Sequence, residues 1–162
     1  MARVVVETVL PHSAPVVWQR IAAFADIAHW HPLIGASRLR AGDDQTAPGC
    51  IRELTTIDGR TLTERLASYD AQAMVLVYEF VEHPFPVTDY QATMRVLADS
   101  DGHDRQCVVQ WTADFEPCSG DGSTERDFFA GQVFTPGLIA LDNVLAQPAM
   151  PHTVPSTHTA AQ

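Results

Sequence analysis

The central part of the sequence is a succession of short strand-like segments separated by turn residues, and this pattern narrows the choice of fold. Between residues 36 and 116, apolar and polar side chains alternate, and β-branched and aromatic residues are frequent. Turn signals such as Gly42-Asp43 and Asp101-Gly102 separate the predicted strands, at about 36–41, 50–56, 60–69, 73–82, 90–98 and 106–116. The short connections favour pairing between neighbours, so an antiparallel meander is predicted.

One strand and a short helical region precede the meander. Residues 2–10, ARVVVETVL, are rich in β-branched side chains and are followed by Pro11, which predicts a strand. Ser13 is a candidate N-cap for a helix whose apolar residues recur at helical spacing, namely Val17, Trp18, Ile21 and Phe24. Asp26 is a candidate cap for a second short helical turn, which Pro32 is expected to end.

One long helix is predicted after the meander. Residues 124–147, TERDFFAGQVFTPGLIALDNVLAQ, carry acidic side chains in the first turn and apolar side chains at helical spacing. Pro136 removes a backbone hydrogen bond and Gly137 adds freedom, so a kink near the middle is expected. The tail 148–162 has no such periodicity and is predicted to be disordered, which leaves 1–147 as a single domain.

The register of one predicted hairpin, CIRELTTIDGRTLTERL at residues 50–66, can be inferred from its side chains. A three-residue loop at 57–59 ends in a glycine at the left-handed position of a type I turn with a bulge. In this register Arg52 faces Glu64, whereas a two-residue turn would oppose like charges. The three-residue loop is therefore predicted, and it places the Arg52–Glu64 pair on the apolar face of the hairpin.

The charge balance and the absence of long apolar runs exclude several classes of partner. Twenty acidic and ten basic residues give a formal net charge of −10, which repels phosphate backbones and anionic lipids. The N-terminal segment lacks the apolar region of a signal peptide, and no later apolar run approaches the ~18 residues of a membrane helix. A cytoplasmic protein that binds no nucleic acid and does not insert into a membrane is predicted.

Metal and cofactor motifs are not evident in the sequence. Cys50, Cys107 and Cys118 are widely spaced and form no CxxC pair, which argues against a disulfide framework or a zinc knuckle. His29 and His31 could bind a metal only together with a third ligand, which the sequence does not indicate. Phosphate-binding loops, nucleophile elbows and HExxH helices are also lacking, so neither a metal nor a cofactor is predicted.

Short motifs occur in a characteristic order over about residues 3–146. They are Ala14-Pro15 and Val17-Trp18, Trp30-His31-Pro32, Gly49-Cys50-Ile51-Arg52, Asp58-Gly59, Glu64-Arg65-Leu66, Pro86-Val87 before Tyr90, Trp111, Phe115, and Gly137-Leu138 with Leu141. With the order of elements, they resemble the Bet v 1/START-like superfamily, in particular its bacterial polyketide cyclase/dehydrase (SRPBCC) branch. The resemblance implies an α+β helix-grip fold, in which a curved seven-stranded antiparallel sheet wraps around a long C-terminal helix, with two short helices after the first strand.

The resemblance also implies a cavity that binds a hydrophobic or aromatic small molecule. The candidate ligand-binding side chains are Trp30, Tyr78, Phe80, Tyr90, Met94, Trp111, Phe129 and Val133. The stiff segment His83-Pro84-Phe85-Pro86 is expected to rim the entrance. A solid core filled by the same side chains is the alternative that the sequence leaves open.

Arg52 and Glu64 are the leading polar candidates because two charges on an apolar face are costly unless they are paired. Glu64 could act as a general acid or base, and Arg52 could hold a ligand carboxylate or an enolate oxygen. A structural ion pair between neighbouring strands explains the same pattern, and close pairing would keep Glu64 ionised. His31 is a candidate proton shuttle at the cavity rim, beside Trp30 and Pro32, which are expected to close one end of the core.

Two main functions of different class remain open from the sequence. The first is a cofactor-independent cyclase or dehydratase acting on a polyketide-like or aromatic intermediate, with Glu64, Arg52 and His31 as catalytic residues. The second is a non-catalytic carrier or sensor of a hydrophobic metabolite. A protein-interaction module using the same groove is a third alternative, and the sequence does not decide between a monomer and a homodimer.

Overall fold

Seven strands form one antiparallel sheet in the computed structural model, which describes residues 1–99, 101–102 and 104–147. The strands are β1 (Ala2–Leu10), β2 (Ile34–Leu39), β3 (Ile51–Thr56), β4 (Thr61–Asp70), β5 (Val75–Glu82), β6 (Val87–Ala98) and β7 (Cys107–Pro117). Their order across the sheet is β1-β7-β6-β5-β4-β3-β2. The predicted meander is confirmed, and β1 pairs with β7. The tail at 148–162 lies outside the described residues.

The strand β6 begins at Val87, earlier than the predicted start at about residue 90. Its register shifts between Thr88 and Gln91, and Asp89 between them adopts a left-handed backbone with φ of 53°. Such a bulge inserts an extra residue and interrupts the alternation of side chains, so the pattern indicates a strand only from about residue 90. Tyr90, directly after Asp89, is buried.

The hairpin of β3 and β4 has the predicted register. Arg52 pairs with Glu64, and the Thr56 amide donates to the Arg60 carbonyl at 2.8 Å to close the loop. Gly59 has a φ of +90°, a conformation that favours glycine. The turn thereby fixes which side chains of β4 face the core.

Two short helices connect β1 to β2. The helix α1 (Ala14–Ala22) follows Ser13 and buries Val17, Trp18 and Ile21, as predicted, although the Ser13 side chain makes no capping hydrogen bond. A 3-10 helix, Phe24–His29, follows and already contains Asp26, which has non-helical angles. Asp26 thus marks a kink between two helical turns, at the boundary where a second turn was predicted, and the first of these turns starts two residues earlier and buries Phe24.

The C-terminal helix, Ser123–Ala146, changes geometry in the middle. It consists of α2 (Ser123–Phe128), a π-helical segment (Phe129–Phe134) and α3 (Thr135–Ala146), whose first turn contains Pro136. Proline has no amide hydrogen and its ring crowds the carbonyl four residues earlier, so a wider turn before it accommodates the break. The irregularity predicted at Pro136 is present, and it extends toward the N-terminus as a π-helical segment.

The C-terminal helix packs on the sheet through aromatic side chains. Phe134 stacks on Trp111 with ring centroids 4.4 Å apart, and Phe129 meets Phe115 edge to face at 5.4 Å. Among the described residues this helix alone is long and apolar enough to cross a membrane by length and composition, with a mean hydropathy of 1.3 over its most apolar window. Polar residues interrupt the window, so a search for continuous apolar runs misses it.

Candidate functional site

A cavity of about 210 Å³ lies between the sheet and the C-terminal helix. Most of its wall is aliphatic or aromatic, and eight of the predicted site residues line it, namely His31, Glu64, Tyr78, Phe80, Tyr90, Trp111, Phe129 and Val133. Three predicted residues, Arg52, Trp30 and Met94, are buried but do not line it. The core is therefore not completely filled, and the space is lined by residues of β2 to β7, of the 3-10 helix and of the C-terminal helix.

Arg52 and Glu64 form a buried ion pair across β3 and β4, as the register predicts. The Arg52 Nε and Nη2 atoms donate to the same carboxylate oxygen, Glu64 Oε2, at 2.8 and 2.5 Å. The third nitrogen, Nη1, donates to the Phe24 carbonyl at 2.9 Å. Both residues are at most 5% exposed, so the pair is shielded from water.

The surroundings of Arg52 favour a supporting position over direct contact with a ligand. Its guanidinium carbon lies 3.9 Å from the ring centroid of Phe24 and 4.9 Å from that of Tyr78. Such stacking holds the planar cation between aromatic faces. With every nitrogen of the group engaged, Arg52 anchors Glu64 from behind, outside the cavity wall.

Glu64 lines the inner wall of the cavity and has one oxygen outside the Arg52 fork. Both Arg52 bonds converge on Oε2, which leaves Oε1 available to face the cavity. Burial raises the pKa of the Glu64 carboxyl above its usual value, while the charge and hydrogen bonds of Arg52 lower it in part. A buried carboxyl of this kind can accept a hydrogen bond or exchange a proton.

Two tyrosines lie beside Glu64 and keep their protons. The Trp111 Nε1–H group donates to the Tyr78 hydroxyl at 3.1 Å, which fixes the orientation of that phenol. Burial is the main cause that raises the pKa of Tyr78 and of Tyr90, and the nearby carboxylate of Glu64 raises both further. The two phenols are therefore hydrogen-bonding groups of the wall, and the Tyr90 ring stacks on Phe80 with centroids 3.8 Å apart.

His31 is buried and joins the loop before β2 to the C-terminal helix. Its Nε2 atom donates to the Val133 carbonyl at 2.9 Å, while its Nδ1 atom accepts from the Leu33 amide at 3.1 Å. Burial lowers the pKa of His31 to about 4, and the charge of Arg52 lowers it as well, against the opposing effect of the Val133 carbonyl. The imidazole is thus neutral near pH 7 with both nitrogens engaged. The predicted rim position is wrong, because the residue is only 3% exposed.

Gly137 permits this contact between His31 and the helix. A Cβ atom at Gly137 would lie 2.8 Å from His31 Cδ2 and Nε2 and 3.0 Å from the Trp111 ring. These distances are too short for any other residue without a shift of the rings. The sequence suggests that Gly137 adds freedom to a kink, whereas the structure shows a close approach that requires glycine.

The residues that close one end of the core differ in part from the predicted pair, Trp30 and Pro32. Trp30 is buried, with its ring centroid 5.6 Å from that of His31 and 6.0 Å from that of Trp111. Pro32 is exposed, so the expectation that it closes the core is wrong, and His31 takes that place. Met94 is buried opposite Trp111 in the sheet register but away from the cavity, so its predicted place in the wall is wrong too.

The cavity mouth includes residues that the sequence analysis did not select. They are Ile57, Asp58 and Arg60 from the hairpin turn and Phe128 from the helix. Phe85 also lines the mouth, where the proline-rich segment was expected. Arg60 could have been found by extending the register by one residue, because it directly precedes β4 and has the same parity as Glu64. Among the described residues, no group of three or more His, Cys, Asp or Glu side chains is arranged to hold a metal.

Comparisons with known proteins agree with this architecture. A family model described as polyketide cyclase/dehydrase and lipid transport matches residues 1–141, whereas no curated protein matches the sequence. A Bacillus thuringiensis protein structure is 27% identical, covers 90% of this chain and all of its own length, and has a TM-score of 0.78. The protein XoxI from Bacillus cereus is 28% identical over 90% of this chain and 96% of its own, with a TM-score of 0.79. A solution structure from Thermobifida fusca is 34% identical, covers 90% and 93%, and has a TM-score of 0.75.

Proposed function

The chain belongs to the polyketide cyclase/dehydrase and lipid transport family, and from this premise we propose that its cavity binds a small apolar or aromatic molecule. Both the family and the helix-grip fold support a small-molecule-binding protein. One observation carries the proposal: Glu64 places a carboxyl group in the inner wall of a cavity that is otherwise mainly aliphatic and aromatic. The apolar wall favours burial of the ligand body, and Glu64 can accept a hydrogen bond from a ligand hydroxyl group.

Cavity size limits the ligand to a small molecule. An apolar cavity of about 150 Å³ accommodates benzene, so 210 Å³ has room for roughly one or two fused rings. A long polyketide chain would extend through the mouth. The proposal is therefore restricted to ligands whose buried part is mono- or bicyclic.

A second candidate, an enzyme of the cyclase or dehydratase type, is favoured by the raised pKa of Glu64. A buried carboxyl with a raised pKa in the wall of a cavity can act as a general acid or base toward a bound ligand. In this mechanism Glu64 alone transfers the proton, since both nitrogens of His31 and all nitrogens of Arg52 already bind protein groups. The engagement of these two predicted partners supports the binding function as the main proposal.

The binding proposal is tested by filling the cavity. Val133 lies in the wall, so Val133→Phe should weaken binding of 2-naphthol by at least about tenfold, because the added ring occupies the ligand volume. Ile139→Phe, at an exposed position on α3, is the matched control and should bind as the wild type does. Calorimetric or fluorescence titration measures both, and equal binding by the two variants would contradict the proposed site.

The enzymatic candidate needs the natural ligand. Native mass spectrometry and solvent extraction of the purified protein would identify a co-purified molecule, which is then incubated with the protein. Chemical conversion by the wild type that is lost in Arg52→Met/Glu64→Leu, with binding retained, would support catalysis at Glu64. Binding without conversion by the wild type would leave the carrier or sensor function.

A further inference from the structure

Arg60 lines two adjacent spaces. It lines the 210 Å³ cavity and also an outer groove of about 260 Å³. The rings of Phe85, Phe128 and Phe129 line both spaces with it, and their centroids are 5.4 to 5.8 Å apart. Among the described residues that line the cavity, Arg60 is the one arginine or lysine. A cation paired with Asp58 is thus placed at the mouth of a mainly apolar cavity, in a protein whose net charge is −10.

The guanidinium of Arg60 is oriented by one of its three nitrogens. Its Nε atom donates to Asp58 Oδ2 at 3.1 Å, and the Thr56 hydroxyl donates to Asp58 Oδ1. The Arg60 guanidinium carbon lies 5.6 Å from the ring centroid of Phe85. Nη1 and Nη2 of Arg60 form no hydrogen bond with the described part of the chain, so these donors can bind a ligand.

Arg60 and Glu64 face the same side of the hairpin at opposite ends of the cavity. Side chains alternate along a strand, so Arg60, Leu62 and Glu64 share one face and Arg65 lies on the other. Four residues at about 3.3 Å each separate the Cα atoms of Arg60 and Glu64 by roughly 13 Å. An apolar stretch therefore lies between an inner carboxyl and an outer guanidinium.

We infer that the ligand class is a hydroxylated aromatic or apolar carboxylic acid, whose carboxylate binds the Arg60 guanidinium at the mouth. This inference rests on the proposed function, because it assigns the second end of the same cavity. A guanidinium presents parallel N–H groups that match the two oxygens of a carboxylate. At the other end, the hydroxyl group of the ligand donates to Glu64, and the ring system fills the space between them.

Two matched probes test the inference. The acid 6-hydroxy-2-naphthoate carries its hydroxyl and carboxylate groups at opposite ends of a bicyclic ring, whereas 2-naphthol lacks the carboxylate. Fluorescence titration gives the dissociation constant of each for the wild type, Arg60→Gln and Arg65→Gln. Arg65 is the matched control because it is an arginine of the same hairpin that pairs with an acid, Glu79, at 2.9 Å, as Arg60 pairs with Asp58, but it faces away from the cavity.

The wild type should bind the acid about tenfold more tightly than 2-naphthol, as expected for charged hydrogen bonds. Arg60→Gln should abolish this difference by weakening binding of the acid, and Arg65→Gln should retain it. The inference is overturned if the wild type binds both probes equally, or if Arg60→Gln affects acid binding no more than Arg65→Gln. Failure of both probes to bind would instead overturn the proposed function, and the inference with it.

Discussion

Two buried polar contacts hold the walls of the cavity in place, and they differ in the parts of the chain that they join. Arg52 and Glu64 join neighbouring strands of one hairpin, twelve residues apart in the chain. His31 and the Val133 carbonyl join a loop to the C-terminal helix across 102 residues. The first contact balances two charges, whereas the second satisfies a neutral imidazole and a backbone carbonyl.

The difference shows how each contact constrains the cavity. The ion pair positions Glu64 within the sheet, and its cost is the desolvation of two charges. The histidine contact holds the π-helical segment, whose Phe129 and Val133 side chains form the helix side of the wall. Charge thus maintains the polar inner end, and close packing around Gly137 maintains the opposite wall.

The largest effect is expected when the ion pair loses its acid. Glu64→Leu should lower the free energy of unfolding by about 3–5 kcal/mol, because it leaves the buried Arg52 charge uncompensated. Urea denaturation at pH 7 measures the loss. The double variant Arg52→Met/Glu64→Leu removes both charges and should be close to the wild type in stability.

A further single variant completes this comparison. Arg52→Met leaves Glu64, which can become neutral by taking up a proton, so its loss should be smaller at pH 5 than at pH 8. If the two single losses simply add up in the double variant, the charges are not energetically coupled.

A smaller effect is expected from protonation of His31. Its pKa is about 4 in the folded protein and 6.5 ordinarily, so the folded state binds fewer protons between these values. The free energy of unfolding is therefore unaffected by protonation of His31 above pH 6.5. It falls by about 3 kcal/mol as the pH drops toward 4, because proton uptake then favours the unfolded state. Urea denaturation across this range should show a weaker pH dependence for His31→Gln, whose amide can form similar hydrogen bonds without titrating.

The control for this prediction is His29→Gln, at an exposed position two residues away. It should follow the pH dependence of the wild type. Equal pH dependence in His31→Gln and the wild type would show that the buried imidazole does not link stability to pH.

The smallest effect is expected from one methyl group at the helix contact. Gly137→Ala should lower the free energy of unfolding by about 1–3 kcal/mol, because its Cβ meets the His31 and Trp111 rings. Gly131→Ala, in the same helix with open space around its Cβ position, should instead stabilise by up to about 1 kcal/mol. Thermal or urea denaturation compares the pair, and an equal response of both variants would exclude the packing role of Gly137.

The inner end of the cavity could be predicted from sequence because it depends on local rules. The loop at 57–59 sets the register of β3 and β4, and the register sets the Arg52–Glu64 pair. Alternation likewise places Tyr90 and Trp111 on the buried face. The same rules could have selected Arg60, which has the parity of Glu64, but its place at the mouth depends on Phe85 and Phe128 from other elements.

The sequence by itself determined the order of strands and helices, the hairpin register and the polarity of each strand face, because these follow from the chemistry of residues close together in the chain. Only the tertiary structure decided that His31 is buried against the Val133 carbonyl, that glycine is needed at 137 for the helix to contact His31, and that Arg60 lies at the cavity mouth. These features depend on how the C-terminal helix packs on the sheet. The helix and the loop that it contacts are about one hundred residues apart in the chain, so no local sequence pattern indicates how closely they approach.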